Sequence, residues 1–288
     1  WSWQGAPIET QAQLIEAFDE VAGDAASVEA MKAWLLSQKR TSRWPGAPAT
    51  AHAIAALLGR GDDLLGMASD VQVEIGGEAV VPDAVEAGTG FFETRLVRGE
   101  IRSDDATIRL SRSGAQQGSG FAWAGVHWQY LDDIDRVEAA GLDQLAVRKE
   151  LFVKRTTKAG AVLEPIDEQT PLSVGDELVV RLVVTSDRDY EFLELADHRP
   201  SLTEPVEVLS GWRYGDGVGW YLSVRDASTQ FFFERMPRGT HVLEYSLRVA
   251  HAGAASSGFA SIRSRYAPEF SARSASVGIA VVPAEHQP

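Results

Sequence analysis

The chain has 288 residues and no cysteine, which excludes disulfides, thiolate catalysis and Cys-ligated metal centres. Its 27 Lys and Arg against 41 Asp and Glu leave a net charge of −14, which argues against a phosphate-backbone partner, because nucleic-acid affinity comes largely from cationic side chains releasing counterions. Hydrophobic residues at 44% and charged residues at 24% are ordinary globular usage, the length suits two or three domains with sizeable cores, and no apolar run approaches the ~18 residues of a membrane span.

In chain order, Glu9 to Ala22 reads as a helix, since Ile8, Ala12, Ile15, Phe18 and Ala22 recur at spacings of three and four and Gly23 closes the pattern. Asp24 is placed as the N-cap of a second helix, in which Val28, Met31, Trp34 and Leu35 form one apolar stripe reaching Lys39. A Trp-Pro-Gly loop leads to a third helix, Thr50 to Leu58, with Ile54, Leu57 and Leu58 as its apolar side. From Val71 the period turns to two. Val71, Val73 and Ile75 alternate with polar residues, Gly76 and Gly77 make a turn, and Phe91 to Val97, Ala106 to Leu110 and Gly120 to Tyr130 read as strands. In the last of these Phe121, Trp123, Gly125, His127 and Gln129 share a face.

Leu131 to Ala146 reads as a linker, and Val147 to Lys154 opens a final domain. Within it Asp176 to Thr185 is apolar on both faces at its centre, as in an interior strand of a sandwich. Gln230 to Phe233 and His241 to Val249, separated by Met-Pro-Arg-Gly, read as a tight antiparallel hairpin. About seven short strands are expected, an immunoglobulin-like β-sandwich, with Pro-Ala-Glu-His-Gln-Pro as a tail. The fold class is therefore mainly β with an N-terminal α segment, in three parts: residues 1–66, 67–145 and 146–288.

No catalytic constellation, metal site or cofactor site emerges. Gly215, Gly217 and Gly219 enter a strand instead of a helix whose N-terminus could hold a pyrophosphate, so a hairpin loop is expected there. Ser119 lies in Gly-Ser-Gly, without the nucleophile elbow's strand-to-helix turn. His52, His127, His198, His241, His251 and His286 are scattered, with His127 and His241 read as hydrogen-bonded core histidines; Asp132, Asp133 and Asp135 read as a solvated linker and not a calcium loop. Trp34 and Trp123 fit core stripes. Trp212, Tyr214 and Trp220 flank the Gly-rich loop and are the candidate partner-binding residues, for a sugar or a protein; the plain alternative is that they plug the end of the sandwich, and Tyr266 to Phe270 is a structural turn.

The wording of two stretches is specific. Asp226 to Tyr245 (DASTQFFFERMPRGTHVLEY) and Arg265 to Ser274 (RYAPEFSARS) resemble the C-terminal macroglobulin-like domain of bacterial alpha-2-macroglobulin proteins. Upstream, Ala6 to Asp24 and Arg43 to Leu58 resemble the last helices of the alpha/alpha toroid of that family, in the same order. The resemblance implies three closing helices of an incomplete toroid, then the later half of a CUB-type β-domain, then the macroglobulin-like sandwich. It also implies a non-enzymatic, structural C-terminal part of a protease-trapping inhibitor in the periplasm or at the cell surface. Proteases would be partners of the intact parent; a bait region would lie upstream, as would the thioester Cys and Gln that some members of the family carry and many bacterial ones lack. Trp1, Trp3 and the stripe of Ile15, Phe18, Val28 and Met31 would then sit at a cut edge and favour self-association.

Overall fold

The computed structural model describes residues 5–41, 43–61, 70–86, 90–113, 124–131, 133–141, 143–158, 160–167 and 170–283, and the chain divides into two compact units near residue 124. The expectations for Trp1, Trp3, Ser119, Phe121, Trp123, Asp132, His286 and the end of the tail lie outside the described residues.

In the first unit, α1 (Pro7–Ala17) runs into a π-helical turn over Phe18–Ala22, and Gly23 ends it in the left-handed conformation, φ 64°. Helix α2 (Ala25–Thr41) starts where Asp24 takes two hydrogen bonds, from Ser27 N at 3.1 Å and Ser27 Oγ at 2.6 Å. Helix α3 (Gly46–Gly59) follows. Ile8, Ala12, Ile15, Val28, Leu35, Trp44, Ala49, Ala53, Ala56 and Leu57 form one buried cluster, with Met31 packed on it. This corrects the expected cut edge at two of its four positions, because Ile15 and Val28 are fully buried by the neighbouring helices, where burying such a side chain contributes about 1.5–3 kcal/mol, while Phe18 remains exposed. It also rotates α3. Its inner face is made by three alanines and Leu57, which let α1 approach closely, while Ile54 and Leu58 face outward. Trp34 likewise leaves the core stripe.

The Ser27 hydrogen bonds hold the Asp24 carboxyl below its ordinary value of 3.8. A depressed folded-state pKa means the cap's contribution is present above that ordinary value and is lost as pH falls through the folded one. Asp24→Ala is therefore expected to lower the thermal midpoint of the helical circular-dichroism signal at neutral pH. Once both proteins are titrated well below the carboxylate range, the two midpoints should converge; a difference that does not shrink on acidification would contradict the capping role.

A three-stranded antiparallel sheet follows, of β1 (Asp70–Ile75), β2 (Glu78–Ala79) and β3 (Ile108–Ser113), in the order β2-β1-β3. Gly76 and Gly77 form the expected turn, both at positive φ, and a side chain at Gly76 would strike the buried Asp105 carboxylate at 2.6 Å. Phe91 to Val97 and the described part of Gly120 to Tyr130 make no strand, a correction to the expectation from their periodicity, and His127 is exposed. Alternation alone does not make a strand when no ladder partner accepts the backbone.

The second unit contains β4 (Leu145–Thr157), β5 (Gly160–Pro165), β6 (Leu172–Ser173), β7 (Glu177–Ser186), β8 (Tyr190–His198) and β9 (Thr203–Pro205). It continues with β10 (Gly211–Gly215), β11 (Val218–Val224), β12 (Ser228–Met236) and β13 (Gly239–Val249). The chain then forms β14 (Gly253–Ser256), β15 (Ala260–Ser264), β16 (Ser271–Arg273) and β17 (Gly278–Val282). One sheet has the order β10-β11-β12-β8-β15-β16, a second β5-β4-β7-β13-β9, and a small third β14-β17-β6, so the sandwich uses more strands than the seven expected.

One buried cluster takes Leu145, Val147, Leu151, Val153, Leu178, Val180, Leu182, Val184, Leu243 and Leu247 from the five-stranded sheet. It takes Tyr190, Leu193, Leu195, Leu222, Phe231, Phe233 and Ile262 from the six-stranded one. In β7 the outward Val179 is also buried, as the two-faced pattern of that strand predicts.

The expected hairpin between Gln230–Phe233 and His241–Val249 does not form. β12 pairs with β11 and β8, whereas β13 pairs with β7 and β9, so Pro237 and Arg238 carry the chain from one sheet across to the other. The corner is pinned by Asp189, whose carboxylate accepts from Arg238 N at 2.9 Å and from the Arg235 guanidinium at 2.7 Å. Both strands are apolar on their inner sides, and opposite sheets let those sides face each other. The expected linker is partly structured as well, for Ala140 bridges Arg273 and Val137 O accepts from Ser276 N.

Candidate functional site

Period two puts three polar side chains among apolar ones on the inward faces of their strands: Lys149 between Val147 and Leu151, Asp197 two residues after Leu195, and Tyr245 between Leu243 and Leu247. The fold brings the three together between the sheets. Lys149 Nζ lies 2.7 Å from Asp197 Oδ1 and donates to the backbone carbonyls of His198 and Ser257, both at 2.8 Å. Tyr245 donates its phenolic O–H to Asp197 Oδ2. The Lys149 side chain is 2% exposed and that of Asp197 0%, so each polar atom depends on these partners and not on water. Burial pulls the Lys149 amine below its ordinary pKa and pushes the Asp197 carboxyl above its own, their mutual attraction opposing both shifts. Burial, reinforced by the Asp197 charge, raises the Tyr245 phenol well above its usual range.

Nearby, Arg199 is buried with its guanidinium on Ser228 O (2.9 Å), Thr229 Oγ1 (3.1 Å), Asp226 O (2.6 Å) and Arg225 O, which fixes the turn between β11 and β12. The signal of this cluster in the sequence is a charged residue at an inward position of an alternating strand, Lys149 between Val147 and Leu151. His198 flanks it, half buried, with its imidazole pKa lowered by burial.

The candidate partner-binding residues divide between two surfaces. Strands β10 and β11 form a hairpin in which Gly215 pairs with Val218, leaving Asp216 and Gly217 as a two-residue turn with φ 51° and 74°. Trp212 and Tyr214 point outward, 68% and 79% exposed. Trp220 has the opposite parity: it lies on the core side over Gly215, with its ring 6.3 Å from Phe233, so it leaves the predicted trio. Its place outside is taken by Tyr221, which pairs with Trp212 across the strands and meets it edge to face at 5.7 Å. The glycines here are a hairpin, as the spacing implied. His241 is buried with Nε2 2.8 Å from Pro237 O, the core histidine expected, whereas Asp133 sits in a 3-10 capped segment with Ile134–Arg136.

Residues 145–269 match the family model of the bacterial alpha-2-macroglobulin MG10 domain. That segment is a bacterial alpha-2-macroglobulin MG10 domain. The match covers the strands from β4 through β15, and hence Lys149, Asp197, Tyr245, Arg199 and the aromatic hairpin. It is the family that the wording around Asp226 to Tyr245 resembles.

Among solved structures, the chain is similar to trypsin activated alpha-2-macroglobulin from Escherichia coli, at 14% identity and a TM-score of 0.46, covering 96% of this chain and 18% of that one. It is also similar to Salmonella alpha-2-macroglobulin reacted with methylamine, at 16% identity and a TM-score of 0.40, covering 96% and 17%. A third, the Escherichia coli protein spanning domain MG7 to the C-terminus, gives 14% and 0.41, covering 96% and 42%. The chain thus spans less than half the length of each of these three. No curated protein sequence matches it. Around the MG10 domain, no helix of the described residues is long and apolar enough to cross a membrane.

Proposed function

We propose that the chain is the structural C-terminal part of a bacterial alpha-2-macroglobulin-like protein that traps proteases in the periplasm or at the cell surface. In this reading α1 to α3 are closing helices of a toroid, residues 67–145 are half of a CUB-type domain, and the MG10 sandwich is the rigid end that keeps them in register. The observation that carries it is the MG10 match over residues 145–269. The buried polar groups of that domain support a structural role, because Lys149, Asp197, Tyr245 and Arg199 are engaged in internal hydrogen bonds.

With no Cys to form a thioester, the chain alone is expected neither to bond a protease covalently nor to inhibit it. Incubation with trypsin or elastase, followed by denaturing gels and an assay on a large protein substrate, tests this. A stable adduct, or stoichiometric loss of activity, would overturn the structural role.

A second reading, a binding face for a carbohydrate or protein, rests on the outward rings of Trp212, Tyr214 and Tyr221. The 79° between the Trp212 and Tyr221 rings offers one face and one edge, which favours a protein side chain over a flat sugar ring. Trp212→Ala should leave the melting temperature unchanged and abolish any fluorescence-detected binding in a glycan or peptide screen.

A further inference from the structure

We propose that Lys149 and Asp197 condense into an intramolecular isopeptide bond that joins the two sheets of the MG10 sandwich covalently. Lys149 belongs to β4 in the five-stranded sheet and Asp197 to β8 in the six-stranded one, so the bond would cross the core and link positions 48 residues apart. Lys32 shows by contrast what a merely local pair looks like: its amine meets Glu29 one turn away on the same helix, and Glu29 keeps 15% of its side chain exposed.

Four features of the site favour bond formation. Lys149 Nζ is held 2.7 Å from Asp197 Oδ1, beside the carboxyl carbon, with essentially no exposure of either side chain. Such fixed approach is worth effective molarities of order 10⁵ to 10⁸ M in well-oriented intramolecular reactions. Exclusion of water removes the species that would hydrolyse an activated carboxyl and disfavours the charged forms of both groups, so burial shifts amine and acid toward neutrality. In the neutral pair, the two N–H groups of Lys149 donate to His198 O and Ser257 O, which turns the nitrogen lone pair toward Asp197. Finally, Tyr245 donates to Oδ2, the oxygen on which negative charge develops when the carboxyl carbon is attacked.

The step balances without a co-reactant. The Nζ lone pair adds to Cγ of the protonated Asp197 carboxyl, forming the N–C bond. Oδ1 leaves with its own proton and one from Nζ, as water. Oδ2 becomes the amide carbonyl and keeps the Tyr245 hydrogen bond, while the remaining N–H stays with one of the two backbone carbonyls and the other loses its donor.

Intact-mass spectrometry of the whole denatured chain is the test. The expected mass is lower than that of the sequence by one water, about 18 Da, with a branched peptide joining the segment of Lys149 to that of Asp197 after digestion. The Asp216-Gly217 pair can also lose water, as a succinimide, but that loss reverses in mild alkali and maps to a different peptide, whereas an isopeptide bond persists. Lys149→Met and Asp197→Ala should restore the full mass, and Tyr245→Phe should lower the cross-linked fraction at least tenfold at early times. Should either core variant fail to fold, the wild-type peptide map still decides. An unchanged wild-type mass after prolonged incubation, or an alkali-stable deficit that survives in Asp197→Ala, overturns the proposal.

Discussion

Gly258→Ala is expected to cost more than about 4 kcal/mol, the range reserved for a backbone clash in a core. Gly258 sits at φ +69°, and a Cβ built there would lie 2.1 Å from His198 O and 2.7 Å from its carbonyl carbon. Both neighbours are backbone, so no rotamer change relieves the contact. The displaced carbonyl is one of the acceptors of Lys149, and Ser257, the adjacent residue, supplies another. Alanine therefore strains β8 where it pairs with β15 and opens the polar cluster at the same time. For a unit of this size the melting temperature should fall by roughly 10 °C or more. Gly217→Ala is the control, since it too has positive φ, +74°, but nothing lies within 4 Å; it should cost only about 1 kcal/mol. Similar melting temperatures for the two variants would show that the close approach at Gly258 is not what holds this corner.

The second large effect is expected at Asp197. Removing its carboxylate by Asp197→Ala leaves the buried Lys149 amine with two carbonyls and no acid, and the Tyr245 hydroxyl with no acceptor. Breaking a buried pair from one side costs about 3–5 kcal/mol, because the surviving group keeps its desolvation penalty. The combined variant Lys149→Met, Asp197→Ala and Tyr245→Phe also removes the stranded amine and hydroxyl and should be more stable than Asp197→Ala, neither variant being able to form the cross-link, although the His198 and Ser257 carbonyls lose the Lys149 donor. Urea unfolding of the single and triple variants measures the difference. A triple variant no more stable than Asp197→Ala would assign the cost to lost volume instead of lost pairing.

Asp24 as a cap, Gly23 and Gly76 as chain reversals, the two-faced apolar strand β7 and the hairpin nature of the 215–219 glycines all follow from local chemistry. Each is decided within a few residues, by which backbone angles a side chain tolerates and which orphan N–H it can satisfy. The family was also legible, because its wording in Asp226 to Tyr245 lies inside the stretch that the MG10 model matches. The candidate site was legible only in part: Trp212 and Tyr214 are exposed as the aromatic reading required, but the parity across the turn put Tyr221 beside them and sent Trp220 inward.

What the amino-acid sequence determined by itself was the inventory: helices before about residue 60, a mainly β remainder, the inward sides of β7 and β13, and the absence of thiol chemistry. Tertiary structure decided the partners. Met-Pro-Arg-Gly allows a hairpin and a crossover equally well in local terms, and the crossover wins because β12 and β13 each bury an apolar face against the other sheet. Helix α3 likewise turned its alanines inward because close approach to α1 buries more of the bundle than Ile54 could from its own side. Lys149, Asp197 and Tyr245 are each an anomaly in a separate strand. They become one cluster only when two sheets are stacked, since the free energy of a buried charge depends on a neighbour that the linear order places 48 residues away.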